Sequence, residues 1–342
     1  MTGDGELESL YLPAAEQALE QFPVEPEAIE LVAFSENVTF RVSTRHSETD
    51  YVLRLHRPGY NSIEELDSER LWAEALKDAG LRIQDSLPTR QGQYFVLIDI
   101  PGAGEQRYAG MTSWLEGMLL SDCLKAKPDP ADRAQVFHEI GEIAAAIHNQ
   151  SAAWNAPPGF TRRRLDLDGL LGEAPHWGRF WEHPDLNCAE GAALLHTRDK
   201  VSKVLQAYGE TADNFSLIHA DLDPDNIIQH GDDMALIDFD DAAFGWHLYD
   251  LASALLEYRS APDFDALSAA LLDGYRRQRP LAECDIEMLP AFLLVRGMAT
   301  IGWYLQRPEH ADSDYFEALR DWLLAASVTG GRVRLAGDAS TR

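Results

Sequence analysis

The sequence predicts an α+β protein, a small antiparallel sheet followed by a larger helical region. Two observations carry this. Short strand-like apolar runs crowd the chain from Ala28 to Leu115, and helical spacing takes over from Leu119 onward. The size agrees, since 342 residues that are 45% hydrophobic can bury a substantial core in one large or two modest domains.

After a polar, acidic leader, 28–34 and 38–42 form two strands around Ser35-Glu36-Asn37, a hairpin turn. The run 51–57 alternates, with Leu53 and Leu55 on one face and Val52, Arg54 and His56 on the other. Ser62 can cap a helix whose apolar side is Leu66, Leu71 and Leu76 and which Gly80 stops. Strands at 94–98 and 110–115 close the sheet and run into Glu116-Gly117. In the helical part, Phe137, Ile140, Ile143, Ala144 and Ile147 make a core stripe, ending at His148, which is expected to make a structural hydrogen bond. Trp177, Phe180 and Trp181 are expected in packing. His176, His183 and His196 lack the spacing of a zinc site. The segment 291–305 is apolar nearly all round and reads as a buried helix; Arg296 inside it needs an acidic partner. From Thr329 the Gly-, Ser- and Arg-rich tail is expected to lack order.

The net charge of −28 argues against nonspecific nucleic-acid binding. Acidity is spread along the chain, with 21 acids and 9 bases in residues 1–117 against 36 and 20 in the remainder, so surface solvation explains it better than a trap for a cation. Three Cys at 123, 188 and 284, with no C-x-x-C, suggest neither disulfides nor zinc. No leader combines a basic region with an apolar core and no uninterrupted apolar run reaches spanning length, so the expectation is a cytoplasmic protein without a membrane partner. The sequence sets no oligomeric state.

The stretch 217–241, LIHADLDPDNIIQHGDDMALIDFDD, organises the rest. Two short apolar runs bracket Asp-rich turns, with Gly231-Asp232 as a hairpin signal, so Asp221, Asn226 and Asp238 fall near the ends of strands. This set suits phosphoryl transfer. Asn226 and Asp238 offer hard oxygens for Mg²⁺, and Asp221 remains to orient a hydroxyl and accept its proton.

The pattern H-x-D-x-x-x-x-N followed by D-F-D resembles the catalytic and metal loops of the protein-kinase-like superfamily, and most of all its aminoglycoside phosphotransferase and choline kinase branch. The resemblance also extends to homoserine kinase type II and bacterial stress-response kinases. It implies a two-lobed fold: a nucleotide-binding lobe in 1–116, a helical lobe with the catalytic and metal loops in 117–328, and the tail 329–342. Donor contacts for ATP or GTP are then expected from Ser35 and Asn37 in a turn that lacks the family's glycines, and from Arg54 where kinases carry Lys. Glu69 would pair with Arg54, and backbone at Ser113 and Leu115 would meet the nucleobase. Asp240 is either a further metal ligand or a polar turn residue. Asp250 is expected to cap a helix and hold the catalytic loop, with His219 as scaffold. Arg162-Arg163-Arg164 binds an anionic acceptor group or neutralises nearby acids; the second reading is favoured. The implied function is Mg²⁺-dependent phosphorylation of a hydroxylated small molecule such as an aminoglycoside or amino alcohol. A protein Ser/Thr kinase of the stress-response type and a silent nucleotide-binding regulator are the alternatives.

Overall fold

The computed structural model describes residues 3–34, 37–45, 49–308, 313–329 and 332–334. The chain opens with α1 (Gly3–Leu19), β1 (Pro26–Phe34), β2 (Val38–Thr44), β3 (Tyr51–Leu55), α2 (Ile63–Asp78), β4 (Phe95–Ile100), β5 (Glu105–Ser113) and β6 (Met118–Leu119). It continues with α3 (Leu120–Lys125), α4 (Pro130–Ala153), β7 (Arg164–Leu165), α5 (Leu167–Leu171), α6 (Cys188–Tyr208), β8 (Phe215–Ile218), β9 (Ile227–His230) and β10 (Asp233–Leu236). Last come β11 (Ala243–Trp246), α7 (His247–Leu256), α8 (Phe264–Gln278), α9 (Glu283–Ile286), α10 (Leu289–Gln306), α11 (Ser313–Ala325), β12 (Ser327–Thr329) and β13 (Arg332–Arg334).

Two compact units divide the chain, one of 1–118, 155–161 and 228–240, the other of 119–154, 162–227 and 241–342. The first unit thus takes in the Asp238 segment along with the expected N-terminal lobe. Its sheet has the order β1-β2-β3-β5-β4, antiparallel throughout. Period-two alternation puts Val38, Phe40, Val42, Leu53 and Leu55 on one face, where Tyr11, Ala14, Ala15, Ala18 and Leu19 of α1 cover them. The stretch expected as a polar leader is therefore a helix. Glu8 and Glu16 are exposed, and mostly small apolar residues at i, i+3 and i+4 make the inner stripe.

The α2 helix begins as expected, with Ser62 in a capping box with Glu65. Its deepest side chain is Trp72, edge-on to Phe239 at 5.7 Å, while Leu71 is only half-buried. The segment 155–161 docks on this helix through Thr161 N, which donates to Ser68 Oγ at 2.9 Å. At Gly117, φ is +140° and an added Cβ would lie 2.4 Å from the Gln229 carbonyl, so this approach admits only glycine.

In the second unit, α4 and α8 pack so closely that a Cβ on Gly141 would sit 2.1 Å from the Leu271 carbonyl, and one on Gly274 would sit 1.9 Å from that of His138. A three-stranded sheet, β7-β11-β8, leads into the loop that holds Asp221. Trp177, Phe180 and Trp181 are buried. The span Glu283–Gln306 is long and apolar enough to cross a bilayer, but its window is 61% buried within the protein, as a core helix is. The tail expected to lack order from Thr329 contains the paired strands β12 and β13; residues 335–342 lie outside the described residues.

The two glycines set the distance between α4 and α8. Gly274→Ala improves helix propensity by about 1 kcal/mol yet forces a methyl into backbone. A net loss of about 1–3 kcal/mol on denaturant unfolding is expected; a gain would show that the helices separate without cost.

Candidate active site

The catalytic loop follows β8 in the second unit. Ala220 takes a left-handed backbone, φ +68°, which is unfavourable for a residue with a Cβ. Asp250 holds it there. Its fully buried carboxylate accepts the His219 N–H at 3.0 Å on Oδ2 and the Ala220 N–H at 2.7 Å on Oδ1. His148 Nε2 is 3.1 Å from the same Oδ2 and its Nδ1 is 2.9 Å from the Tyr275 hydroxyl. Burial pushes the His148 imidazole below its usual range, so it acts as a neutral donor to Asp250. The expected hold on the loop is present; the expected helix cap is not, because α7 starts after Trp246 and Asp250 lies in its first turn.

Asp221 comes next in the chain. Asn226 Nδ2 donates to its backbone carbonyl at 2.9 Å and to its Oδ2 at 2.8 Å. Arg296 donates from Nη2 to Asp221 Oδ1. The acid that the buried arginine of α10 required is therefore Asp221. With its amide protons on Asp221, Asn226 keeps its carbonyl oxygen for a cation. The 3₁₀ turn Pro224–Asn226 is capped by Asp223, whose side chain accepts the Asp225 N–H at 2.9 Å. Burial, reinforced by the charge of Asp221 and then Glu257, pushes the Asp223 carboxyl up to about 8. A depression of about 550 Å³ beside it, lined by Asp223, Asp225 and Glu257 together with Lys125, Lys127 and Arg133, has a size that suits a small molecule.

In the first unit, Asp238 follows β10 with φ +62°. Arg54 Nη1 donates to its Oδ1 at 3.0 Å and lies 3.6 Å from Asp240 Oδ1. Burial works against the Arg54 cation, but Asp238, Asp240 and Glu69 together hold its pKa above the usual arginine range. Arg54, Glu69 and Asp238 border a cavity of about 70 Å³, room for a few waters. Asp240 is buried and is kept well below the usual carboxylate range, against its own desolvation, by His56, Arg54 and Asn37. Asn37 donates its amide to Asp240 Oδ2 and accepts the Arg57 N–H at 2.9 Å; Asn61 Nδ2 donates to the Asp240 carbonyl at 3.2 Å. Asp240 and Asn37 thus tie the β1–β2 turn to the D-F-D segment. Ser35 lies outside the described residues. Ser113 gives its N–H to the Asp85 carbonyl at 2.8 Å and its carbonyl to Gln84 Nε2 at 2.9 Å, so both edges are engaged by the chain, whereas Leu115 makes no backbone hydrogen bond among the described residues.

Among the described residues no three His, Cys, Asp or Glu side chains converge as a metal cage. Mg²⁺ takes one or two protein oxygens and completes its shell with phosphate and water. Asp238, 39% exposed at its side chain, and the Asn226 carbonyl oxygen are donors of the required kind. The arginine run is used internally: Arg162 donates to the Ala242 carbonyl at 2.6 Å, Arg163 faces Asp241 at 3.9 Å, and Arg164 pairs with Glu210 at 2.6 Å. The sequence marked Arg296 as one half of an ion pair, with pocket lining as the alternative, but could not name the acid; Asp223 carried no signal beyond its place between Asp221 and Asn226.

The sequence matches the phosphotransferase enzyme family over residues 29–284. An uncharacterised protein of Deinococcus radiodurans is 29% identical over 306 residues, 86% of this chain and 83% of that one. The homoserine kinase of Rhizobium johnstonii is 28% identical over 333 residues, 92% and 88% of the two chains. Among solved structures, the microcompartment-associated aminopropanol kinase superposes with a TM-score of 0.78 at 28% identity, covering 92% of this chain and 94% of that one. The α+β fold is thus that of kinase-like phosphotransferases.

Arg54→Met leaves Asp238 and Asp240 without their shared cation. A loss of about 2–3 kcal/mol in denaturant unfolding is expected, at or below the range for fully buried pairs because Asp238 is partly solvated; an unchanged midpoint would show the pair to be neutral. For Asp223, a raised pKa means that the folded state keeps a proton that the unfolded state releases, so stability falls as pH rises from about 4 to about 8. Asp223→Asn removes that dependence while keeping a capping oxygen. Its melting temperature should exceed that of the wild type by a margin that grows from pH 5 to pH 9; a constant margin would contradict the raised pKa.

Proposed function

Because the chain belongs to the phosphotransferase enzyme family, we propose that it is a Mg²⁺-dependent kinase that moves the γ-phosphoryl group of ATP or GTP to a hydroxyl of an amine-bearing small molecule. The observation that carries this is Asp221, a carboxylate whose two oxygens are each fixed by a separate donor, Arg296 and Asn226, at the end of a clamped loop. Its side chain is 30% exposed, accessible to an acceptor yet held by the protein.

In this reading each Asp221 oxygen retains a lone pair beyond the one its donor uses. One of these orients the acceptor hydroxyl and takes its proton as the oxygen attacks phosphorus. Asn226 and Asp238 each offer a hard oxygen of the kind that would hold Mg²⁺, whose charge would offset that of the phosphates. Arg54, Glu69 and the Asn37 turn belong to the donor side. The depression beside the loop carries Asp225 and Glu257 but also Lys125, Lys127 and Arg133, so its charge does not select an amine. Support for an amine on the acceptor comes from the relatives named for homoserine and aminopropanol, since both molecules carry an amine and a hydroxyl.

Coupled ADP release is the test, with Mg²⁺-ATP and Mg²⁺-GTP across amino alcohols, hydroxy amino acids, aminoglycosides and protein substrates. Acceptor-dependent turnover by the wild type should fall by about 10²–10⁴-fold in Asp221→Ala. Turnover that survives the substitution would sink the assignment of the base; phosphate incorporation into protein alone would point to a protein kinase.

A further inference from the structure

Arg296 sits in the middle of α10, where Val295, Gly297, Met298 and Ala299 are all buried. Placing a guanidinium there is costly unless its donors are satisfied. They are satisfied at one place. Nη2 meets Asp221 Oδ1, Nη1 lies 3.5 Å from the Ala220 carbonyl, and the guanidinium plane lies over the Tyr249 ring at 5.8 Å. Tyr249 is itself fully buried and stacked 6.3 Å from Trp177, with 6° between the rings, so the platform beneath the cation is rigid. A cation needed only to balance a buried charge would bind one acid. This one engages two consecutive residues, the left-handed Ala220 and the carboxylate that follows it.

The second donor to that carboxylate is Asn226, on the other oxygen. One donor on a carboxylate leaves it free to rotate about the Cβ–Cγ bond; donors on both oxygens from different elements fix its plane. We propose that Arg296 is a positioning residue that, with Asn226, sets the plane of the Asp221 carboxylate and so the lone pair offered to the acceptor. This rests on the reading of Asp221 as the base. Its chemistry is specific to a planar fork: Lys can restore charge but reaches a single acceptor from a flexible stem.

The experiment is a double-mutant cycle on the full chain, with Arg296→Met, Arg296→Lys, Asp221→Asn and Asp221→Asn/Arg296→Met. Arg296→Met should remain folded by thermal melt and keep its ATP KM within about twofold, while kcat falls about 10²-fold, the scale of a misplaced reacting group. Arg296→Lys should recover only part of that. In the Asp221→Asn background, Arg296→Met should cost nothing further, because Arg296 acts through Asp221. Additive losses, or a kcat within about threefold of wild type in Arg296→Met, would overturn the proposal. Full turnover in Asp221→Asn would instead remove the base reading and leave the effect of Arg296 to be judged by position. For that, crystal structures of wild type and Arg296→Met provide a readout independent of turnover. The Asp221 carboxylate should rotate out of its plane in the variant; an unmoved carboxylate overturns the proposal.

Discussion

The buried carboxylate of Asp250 is the contact on which the rest of the site depends. It accepts two successive backbone N–H groups, of His219 and Ala220, and takes a third donor from His148. Without it, Ala220 would have little reason to remain left-handed, and Asp221 would lose the starting point from which its side chain is aimed. The support runs outward in layers. His148 rests on the Tyr275 hydroxyl and stacks on His247 at 4.3 Å, and burial pushes both imidazoles below their usual range. Tyr275 and His148 come from α8 and α4, whose spacing is set by Gly141 and Gly274. A glycine contact between two helices is in this way linked, through one ring and one carboxylate, to the position of a candidate base.

Cation usage follows the same logic. Twenty-four of the 29 bases are arginine, a bias that the sequence alone left without meaning. The structure uses arginine where a cation must serve several acceptors inside the protein: Arg54 between Asp238 and Asp240, Arg296 between Asp221 and Ala220, Arg162 on the Ala242 carbonyl. A planar fork with five donors tolerates burial better than a strongly hydrated ammonium. Other cations stay at the surface, Lys125 and Arg277 among them.

Much of this was legible in the sequence because it rested on local signals. Alternation around Leu53 and Arg54 gave a strand and its two faces, Ser62 gave a helix start, and Gly231-Asp232 gave the hairpin that leads toward Asp238. What was not legible depended on partners far away in the chain. The α1 helix was hidden by its acidic composition, since its inner stripe is mostly alanine. Trp72, and not Leu71, is the buried residue because it meets Phe239, a partner far away in the chain. Arg296 announced a need for an acid, yet 57 acids were candidates. Asp240 was undecided between metal and turn until its carboxylate was found tied to Asn37, 203 residues earlier.

The central claim is transfer of a phosphoryl group to a hydroxyl of a small amine-bearing acceptor, and phosphorus NMR of the reaction mixture tests it most directly. With Mg²⁺-ATP and an amino alcohol, the account predicts a new phosphate monoester resonance, coupled to the protons of the carbinol carbon and growing in step with ADP. A resonance from phosphate on nitrogen, or ADP accompanied only by inorganic phosphate across every acceptor, would contradict it.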